Sequence, residues 1–227
     1  MSNKNSKRAI GMKRFFRIFF SRGWVTKICF GIIAAFVFIA IFAPVLTQYT
    51  PYEQNLRYIL ANPSSEHLLG CDNIGRDTLT RLLFGARVSL ITGLLSSIWA
   101  AVVGTSIGLI AGYVGGWLNS FVMRFTDAMI AIPPIIFTMV LSTMVTGNLM
   151  GISLVIGVSI IPSYIRMVNG LVISLRENDY VTASNLIGQK QLVIMFRHLL
   201  PNCLASLIVT FTMNVGTAIM LESTLSY

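Results

Sequence analysis

Hydrophobic positions along this chain run in long unbroken blocks. Four stretches carry no charged side chain, namely residues 28–52, 88–123, 128–165 and 198–221. A helix needs about 20 residues to cross the roughly 30 Å hydrocarbon core of a bilayer. The third stretch is too long for one helix and contains the turn signal Thr146-Gly147-Asn148. The pattern therefore predicts five membrane spans, at residues 28–46, 88–114, 120–145, 149–165 and 203–221.

Composition narrows the class of protein. The chain has 227 residues, of which 55% are hydrophobic and 11% are charged. Soluble domains carry roughly 25% charged residues, so this chain lacks the polar surface of a protein that folds in water. The predicted fold class is all-α, a polytopic transmembrane helical bundle.

The distribution of basic residues predicts the orientation. Residues 1–27 carry eight Lys and Arg and no acidic residue, out of 17 basic residues in the chain. Short cytoplasmic segments are enriched in Lys and Arg, so the N-terminus is predicted to be cytoplasmic. The net charge of +9 is then explained by topology and by attraction to anionic headgroups, without a nucleic-acid partner.

Four regions follow from this topology. Residues 1–27 form a basic cytoplasmic N-terminus, in which Lys13 to Trp24 is predicted to lie along the membrane surface. A cleaved signal peptide is the alternative for this end, but its apolar run is longer than a typical signal core. The first transmembrane helix at 28–46 and an extracytoplasmic loop at 47–87 come next. The transmembrane core at 88–227 includes a cytoplasmic loop at about 166–202.

The second span carries a repeated glycine pattern. Gly104, Gly108, Gly112 and Gly116 recur every four residues and would form one smooth stripe for close helix packing. The segment Gly104-Thr105-Ser106-Ile107-Gly108 also matches the G-x-S-x-G pattern of serine hydrolases. That motif requires a strand–turn–helix context, whereas here it lies in an apolar helix. Helix packing is the favoured interpretation.

The third span holds polar and helix-breaking residues. Arg124 and Asp127 are spaced to form an i,i+3 pair. Pro133-Pro134 predicts a kink, which is either simple curvature or a bend that shapes a path through the membrane. No acidic residue lies near the middle of a predicted span, which argues against ion-coupled transport.

The chain offers little for a metal or a cofactor. Cys29, Cys71 and Cys203 are far apart and odd in number, so no disulfide framework is implied. His67 and Cys71 could form two metal ligands, but a third is missing. We predict neither a metal site, nor a cofactor, nor a catalytic residue.

The cytoplasmic loop contains a short predicted helix. Asn178 or Asp179 can cap a helix from Tyr180 to Ile187, and Gly188 can end it. Apolar or aromatic groups at 180, 183, 186 and 187 share one face. Such a face suits a groove on a cytoplasmic partner, although a surface helix resting on the headgroups would show the same pattern.

Several blocks in collinear order resemble one family, the permeases of binding-protein-dependent ABC importers. The closest resemblance is to the C-type subunit of dipeptide, oligopeptide and nickel systems. The family's cytoplasmic E-A-A-x-x-x-G motif, which ends in Leu-Pro, aligns with Thr182-Ala183-Ser184, Gly188 and Leu200-Pro201. Its H-x-L-G-T-D-x-x-G-R-D block is similar to residues 67–77, and its later blocks to residues 112–117 and 131–133.

This resemblance implies a multi-pass subunit of a bacterial cytoplasmic membrane, not an enzyme. Its partners would be a second permease, with which it forms a heterodimer, two ATPase subunits and an extracytoplasmic solute-binding protein. The chain has no G-x-x-x-x-G-K-[ST] phosphate loop, so ATP hydrolysis is expected on a separate chain. The residues implied in coupling to the ATPase are Tyr180, Thr182, Ala183, Ser184, Leu186 and Gly188.

The sequence departs from the family pattern in two ways. Thr182 stands in place of the motif glutamate, and Ser184 in place of an alanine. The family also has a sixth span, whereas five are predicted here. A truncated, transport-incompetent permease fragment is therefore the alternative to a working subunit, and an intramembrane enzyme is a third hypothesis.

Overall fold

The computed structural model describes residues 23–145 and 148–225 of the chain. The predicted interfacial segment before Gly23 and the turn at Thr146-Gly147 lie outside the described residues. The described α-helices are α1 (Trp24–Leu46), α2 (Thr78–Val114), α3 (Gly116–Ala131), α4 (Pro134–Ser142), α5 (Leu149–Arg176), α6 (Asp179–Leu186), α7 (Gln191–Ile194) and α8 (Leu200–Leu225). A 3₁₀ turn (Leu56–Tyr58) follows α1, and a π-helical turn (Met195–Leu199) joins α7 to α8.

These helices confirm the predicted all-α class. Four of the described helices are long and apolar enough to cross a membrane, and a fifth span is possible if α3 and α4 are one broken span. The chain divides into two compact units, residues 1–88 and 89–227.

In the first unit, α1 is apolar and almost wholly exposed, with Ala43 its buried residue. The polar loop that follows is built around His67, whose ring lies 4.9 Å from the rings of both Tyr49 and Tyr58. Two glycines with positive φ allow the loop to close. A Cβ on Gly70 would lie 2.4 Å from the Ala61 carbonyl oxygen, and one on Gly75 would lie 2.0 Å from that of Asn55.

Two carboxylates organise this loop. Asp77 accepts hydrogen bonds of 2.7 Å from both the amide and the hydroxyl of Thr80, and its other oxygen lies 3.0 Å from Nδ1 of His67. Burial raises the pKa of Asp77, but the bonds from Thr80 and His67 outweigh this and hold it below its usual range. Asp77 therefore stays ionised and caps the start of α2.

Asp72 forms the second centre of the loop. Its carboxylate accepts bonds from the amides of Ile74 and Arg76 and pairs with the guanidinium groups of Arg76 and Arg81 at 2.8 and 2.7 Å. Burial opposes ionisation, yet these donors hold the pKa of Asp72 well below its usual range. The motif at residues 67–77 thus builds a hydrogen-bonded loop.

In the second unit, α5 is the central helix and packs against α3, α4 and α8. It contributes eleven buried residues, among them Ile156, Tyr164 and Val168. One buried cluster combines α5 with α6, α7 and the π turn, and a second combines it with α2 and α8. The helix that positions the rest of this unit is therefore also its most buried one.

Three glycines of α2 lie against α5. A Cβ on Gly104 would lie 2.6 Å from Cβ of Tyr164, and one on Gly108 would lie 2.8 Å from the carbonyl oxygen of Ile165. A Cβ on Gly112 would lie 3.0 Å from Val172. Gly116 departs from the predicted stripe, because α2 ends at Val114 and nothing lies within 4 Å of its Cβ position.

The predicted third span is broken. Residues 116–131 and 134–142 form two helices, α3 and α4, which meet at an angle of 87°. Pro133 and Pro134 explain the break, since neither can donate the backbone hydrogen bond that would continue α3. The i,i+3 pairing predicted for Asp127 also differs, because its carboxylate pairs with Arg166 of α5.

Two helices run farther than predicted. α5 continues to Arg176, eleven residues past the predicted end of its span, because Val168 and Val172 extend its buried face beyond the first charged residue. The predicted surface helix before the second span is the first part of α2, which begins at Thr78. In both cases the helix extends beyond the charge-free stretch from which its span was predicted.

Candidate functional site

The short helix predicted from Tyr180 to Ile187 is present as α6, which runs from Asp179 to Leu186. Asn178 precedes it in an extended conformation, and Gly188 follows it with a φ of +76°. The amide of Gly188 donates to the carbonyl of Asn185, and that of Gln189 donates to Ser184. These bonds satisfy carbonyls that the end of a helix leaves open, so a short and mostly exposed helix is well terminated at Gly188.

One face of α6 is directed away from the unit. Leu186 and Ile187 are 84% and 79% exposed. Tyr180 is 41% exposed, and Thr182, Ala183 and Gly188 are exposed as well. This face is thus an apolar ridge that nothing in the described part of the chain covers.

The opposite face is buried in the unit. Val181 is fully buried and belongs to the cluster formed with α5, α7 and the π turn. Ser184 is also buried, and its hydroxyl donates to the carbonyl of Tyr180 at 2.8 Å. Ser184 was predicted to contact the ATPase, but its side chain faces the unit. A small residue fits this position because α6 lies close to the helices behind it.

Two polar contacts hold α6 in place. The Tyr113 hydroxyl at the end of α2 donates to Oδ1 of Asn185 at 3.1 Å. Asn202 in α8 donates to the Tyr180 hydroxyl at 3.4 Å and to the His198 carbonyl at 2.6 Å. Through these bonds α6 is attached to both α2 and α8.

Arg176 joins the end of α5 to the end of α2. Its guanidinium donates to the carbonyl of Gly112 at 3.1 Å, where a cation is favoured by the helix dipole. A Cβ on Gly115 would lie 2.7 Å from the same guanidinium, so this position requires glycine for space as well as for its φ of +71°. Arg176 and α6 are thus both hydrogen-bonded to the end of α2.

The π turn between α7 and α8 has a sequence cause. Pro201 has no N–H, so it cannot bond to the carbonyl of Arg197 four residues earlier. The chain widens here, and the amide of Leu200 bonds to the carbonyl of Met195, five residues back. The Leu200-Pro201-Asn202 ending therefore sets the geometry by which α8 continues from the π turn.

Sequence reasoning missed the polar contacts that join the helices of this unit. Tyr113 bonds to Asn185 and Asn202 bonds to Tyr180, which attaches α6. Arg176 joins α5 to α2, and Asn169 donates to Asn119 at 2.6 Å between α5 and α3. The sequence feature that could have pointed to these residues is a single polar side chain at the edge of an apolar stretch. Which partner such a group meets depends on tertiary packing, so the sequence pattern alone could not pair them.

The geometry around Ser106 and His67 does not favour the alternatives of a serine hydrolase or a metal site. Ser106 lies inside α2 and its hydroxyl donates to the carbonyl of Val102 at 2.7 Å, as an ordinary helical serine does. His67 pairs with Asp77. Within residues 23–145 and 148–225, no group of three or more His, Cys, Asp or Glu could hold a metal ion.

Comparison with known families identifies the chain. Residues 104–227 match the model of the binding-protein-dependent transport system inner membrane component, and residues 12–63 match the N-terminal transmembrane domain of oligopeptide transport permease C. The chain belongs to the binding-protein-dependent transport permease family. The predicted permease class is thereby confirmed. The matched families are transport permeases, so the hypothesis of an intramembrane enzyme is not supported.

Curated relatives of this permease are named for peptide transport. The dipeptide transport system permease protein DppC of Alkalihalophilus pseudofirmus is 40% identical over 86% of this chain and 64% of its own length. DppC of Haemophilus influenzae is 38% identical over 91% of this chain and 72% of its own length. The oligopeptide transport system permease protein OppC of Bacillus subtilis is 30% identical over the whole chain and 74% of its own length.

The permease therefore spans somewhat less than two thirds of the first of these relatives. Its family and its apolar helices make it a multi-pass membrane protein. The segment that contains α6 lies within the matched residues 104–227.

Proposed function

We propose that this chain is the permease subunit of an ATP-driven peptide importer in a bacterial cytoplasmic membrane. The observation that carries the proposal is the apolar ridge of α6, at the position of the family's coupling motif. Exposed aliphatic side chains outside the membrane are costly unless a partner covers them. An ATPase subunit that closes on ATP binding is the partner that this ridge would serve.

In this assembly the ridge consists of Tyr180, Thr182, Ala183, Leu186 and Gly188, with Ile187 added and Ser184 placed behind it. Two ATPase subunits bind below, a second permease completes the path, and an extracytoplasmic binding protein delivers the substrate. Coupling requires that ATP binding and one geometry of the spans stabilise each other. The hydrogen bonds of α6 to α2 and α8, with the Arg176 bond that joins α5 to α2, are the proposed physical link for that free energy.

The proposed substrate class is short peptides. Relatives that are 40% and 38% identical are named dipeptide transport permeases, and one that is 30% identical is named for oligopeptides. Residues 88–227 serve as the permease core in this proposal, and residues 47–87 as its extracytoplasmic loop.

An uptake assay tests this function. Proteoliposomes that contain both permeases, both ATPases and the binding protein encoded with them are expected to accumulate radiolabelled alanylalanine when ATP is enclosed. Omission of this chain is expected to reduce uptake to the level without ATP. If uptake is equal with and without this chain, the chain is not the permease of that system.

The orientation can be tested by cysteine labelling. Tyr52→Cys in the loop and Leu186→Cys in α6 replace side chains that are each 84% exposed. A membrane-impermeant maleimide applied from outside is expected to label Cys at 52 but not at 186, because the basic N-terminus is proposed to be cytoplasmic. Cys29 is exposed and should first be changed to Ser, whereas Cys71 and Cys203 are buried. Labelling at 186 alone would invert the topology.

A further inference from the structure

A cavity of about 300 Å³ lies where α5 and α8 meet the break between α3 and α4. The break contributes Ile130, Ile132 and Pro134, and Phe137 of α4 lies beside them. Its volume is in the range of small-ligand pockets. The cavity therefore lies at the 87° bend between α3 and α4.

The polar groups of this cavity are all uncharged. They are Ser159 and Ser163 of α5 and Asn214 and Thr217 of α8, and no lining residue is Asp, Glu, Lys, Arg or His. An ion inside a membrane protein is normally met by an opposite charge. A neutral ligand that both donates and accepts hydrogen bonds fits this lining better than an ion does.

Asn214 is the most versatile of these groups. Its Nδ2 donates to Oγ of Ser163 at 3.0 Å. A carboxamide has two donors and two acceptor positions, so three positions remain after this contact. The Ser163 hydroxyl in turn donates to the carbonyl of Ile160 at 2.9 Å, which leaves its oxygen as the acceptor that orients Asn214.

One proline adds a backbone acceptor at the same place. Pro134 cannot donate to the carbonyl of Ile130, and both residues line the cavity. A carbonyl oxygen without a helical donor in a membrane is tolerated where a cavity or a neighbour satisfies it. Such an oxygen can accept a hydrogen bond from an N–H group of a ligand.

We infer that this cavity is a subsite for a peptide bond, in which the Asn214 carboxamide pairs with the substrate amide. The two groups are chemically the same, so each can donate to and accept from the other. A neutral site that reads only the backbone would accept peptides whatever their side chains. This inference rests on the proposed peptide transport and names the group of the substrate that the membrane path recognises.

The test compares an amide with its ester. In the reconstituted importer, uptake of radiolabelled alanylalanine is measured against alanyl-lactate, in which oxygen replaces the amide N–H. Asn214→Leu is expected to lower amide uptake about fivefold to tenfold, as for the loss of one or two hydrogen bonds, and to lower ester uptake less. The amide-to-ester ratio should therefore fall. Because the binding protein is the same for every variant, the change in ratio reports on the permease.

Two further variants make the result decisive. Thr212→Val lies on the same helix but does not line the cavity, and it should leave the ratio unchanged. Asn214→Ser keeps a small polar group without the reciprocal amide, and it should lower the ratio as Asn214→Leu does even if the leucine variant fails to assemble. A ratio unaltered by both Asn214 variants overturns the subsite. An absence of uptake by the wild-type complex overturns the proposed function instead.

Discussion

Glutamate at both Leu186 and Ile187 is expected to detach the permease from the ATPase subunits of the proposed importer. The two side chains are 84% and 79% exposed in the permease, so their apolar area becomes available to a partner. Burial of an aliphatic side chain contributes roughly 1.5 to 3 kcal/mol. Loss of two such contacts, together with the cost of burying two carboxylates, should weaken binding by about a hundredfold or more.

Co-purification of ATPase with tagged permease measures this effect. The matched control is Leu186→Met with Ile187→Met, which keeps apolar side chains of similar size and should retain the ATPase. Both variants should leave the thermal stability of the permease near that of the wild type, because neither side chain contributes to its interior. Full recovery of ATPase with the double glutamate variant would show that α6 is not the docking element.

Alanine at both Gly104 and Gly108 is expected to destabilise the membrane core. A Cβ on Gly104 would meet Cβ of Tyr164 at 2.6 Å and the Ile161 carbonyl oxygen at 2.9 Å. Neither atom can rotate away, so α2 and α5 must separate. Overpacking of this kind costs about 1 to 3 kcal/mol per site, which outweighs the roughly 1 kcal/mol that alanine gains over glycine in a helix.

Gly170→Ala is the control for this pair. Gly170 is in α5 itself, and nothing lies within 4 Å of its Cβ position, so alanine there should be neutral or stabilising. The measurement is the temperature at which detergent-solubilised protein loses its monodisperse elution peak. The double alanine variant should lose it several degrees earlier than the wild type. Equal temperatures for the double variant and the control would refute close packing as the role of the stripe.

The sequence was informative about where the chain meets lipid and less so about where its helices end. Charge-free blocks located the apolar core of every long helix, because the membrane excludes charge from all of them. They could not predict that α5 reaches Arg176 or that α2 starts at Thr78. Those ends depend on the buried contacts of Val172 in α5 and on the bonds from Thr80 to Asp77 at the start of α2.

At the candidate site, too, the sequence predicted local structure but not the contacts between helices. Periodicity predicted a short helix at 180–187 and an outward apolar face, and Gly188 correctly marked its end. The family resemblance implied Ser184 in coupling as well, but periodicity did not include it in that face, and its side chain is buried. The pairings of Tyr113 with Asn185 and of Asp127 with Arg166 join residues 72 and 39 positions apart. Such distant pairs are set by packing and leave no mark in local sequence.

The length of α5 has a mechanical consequence. The helix runs without interruption from Asn169 to Arg176 at the base of α6, and Pro162 at the cavity lies fourteen residues before Arg176. At a rise of 1.5 Å per residue, this distance is about 21 Å. A sideways displacement of about 3 Å at Arg176 therefore tilts this segment by roughly 8°. In the proposed importer, a movement of α6 driven by the ATPase would tilt α5 about Pro162 and change the width of the cavity.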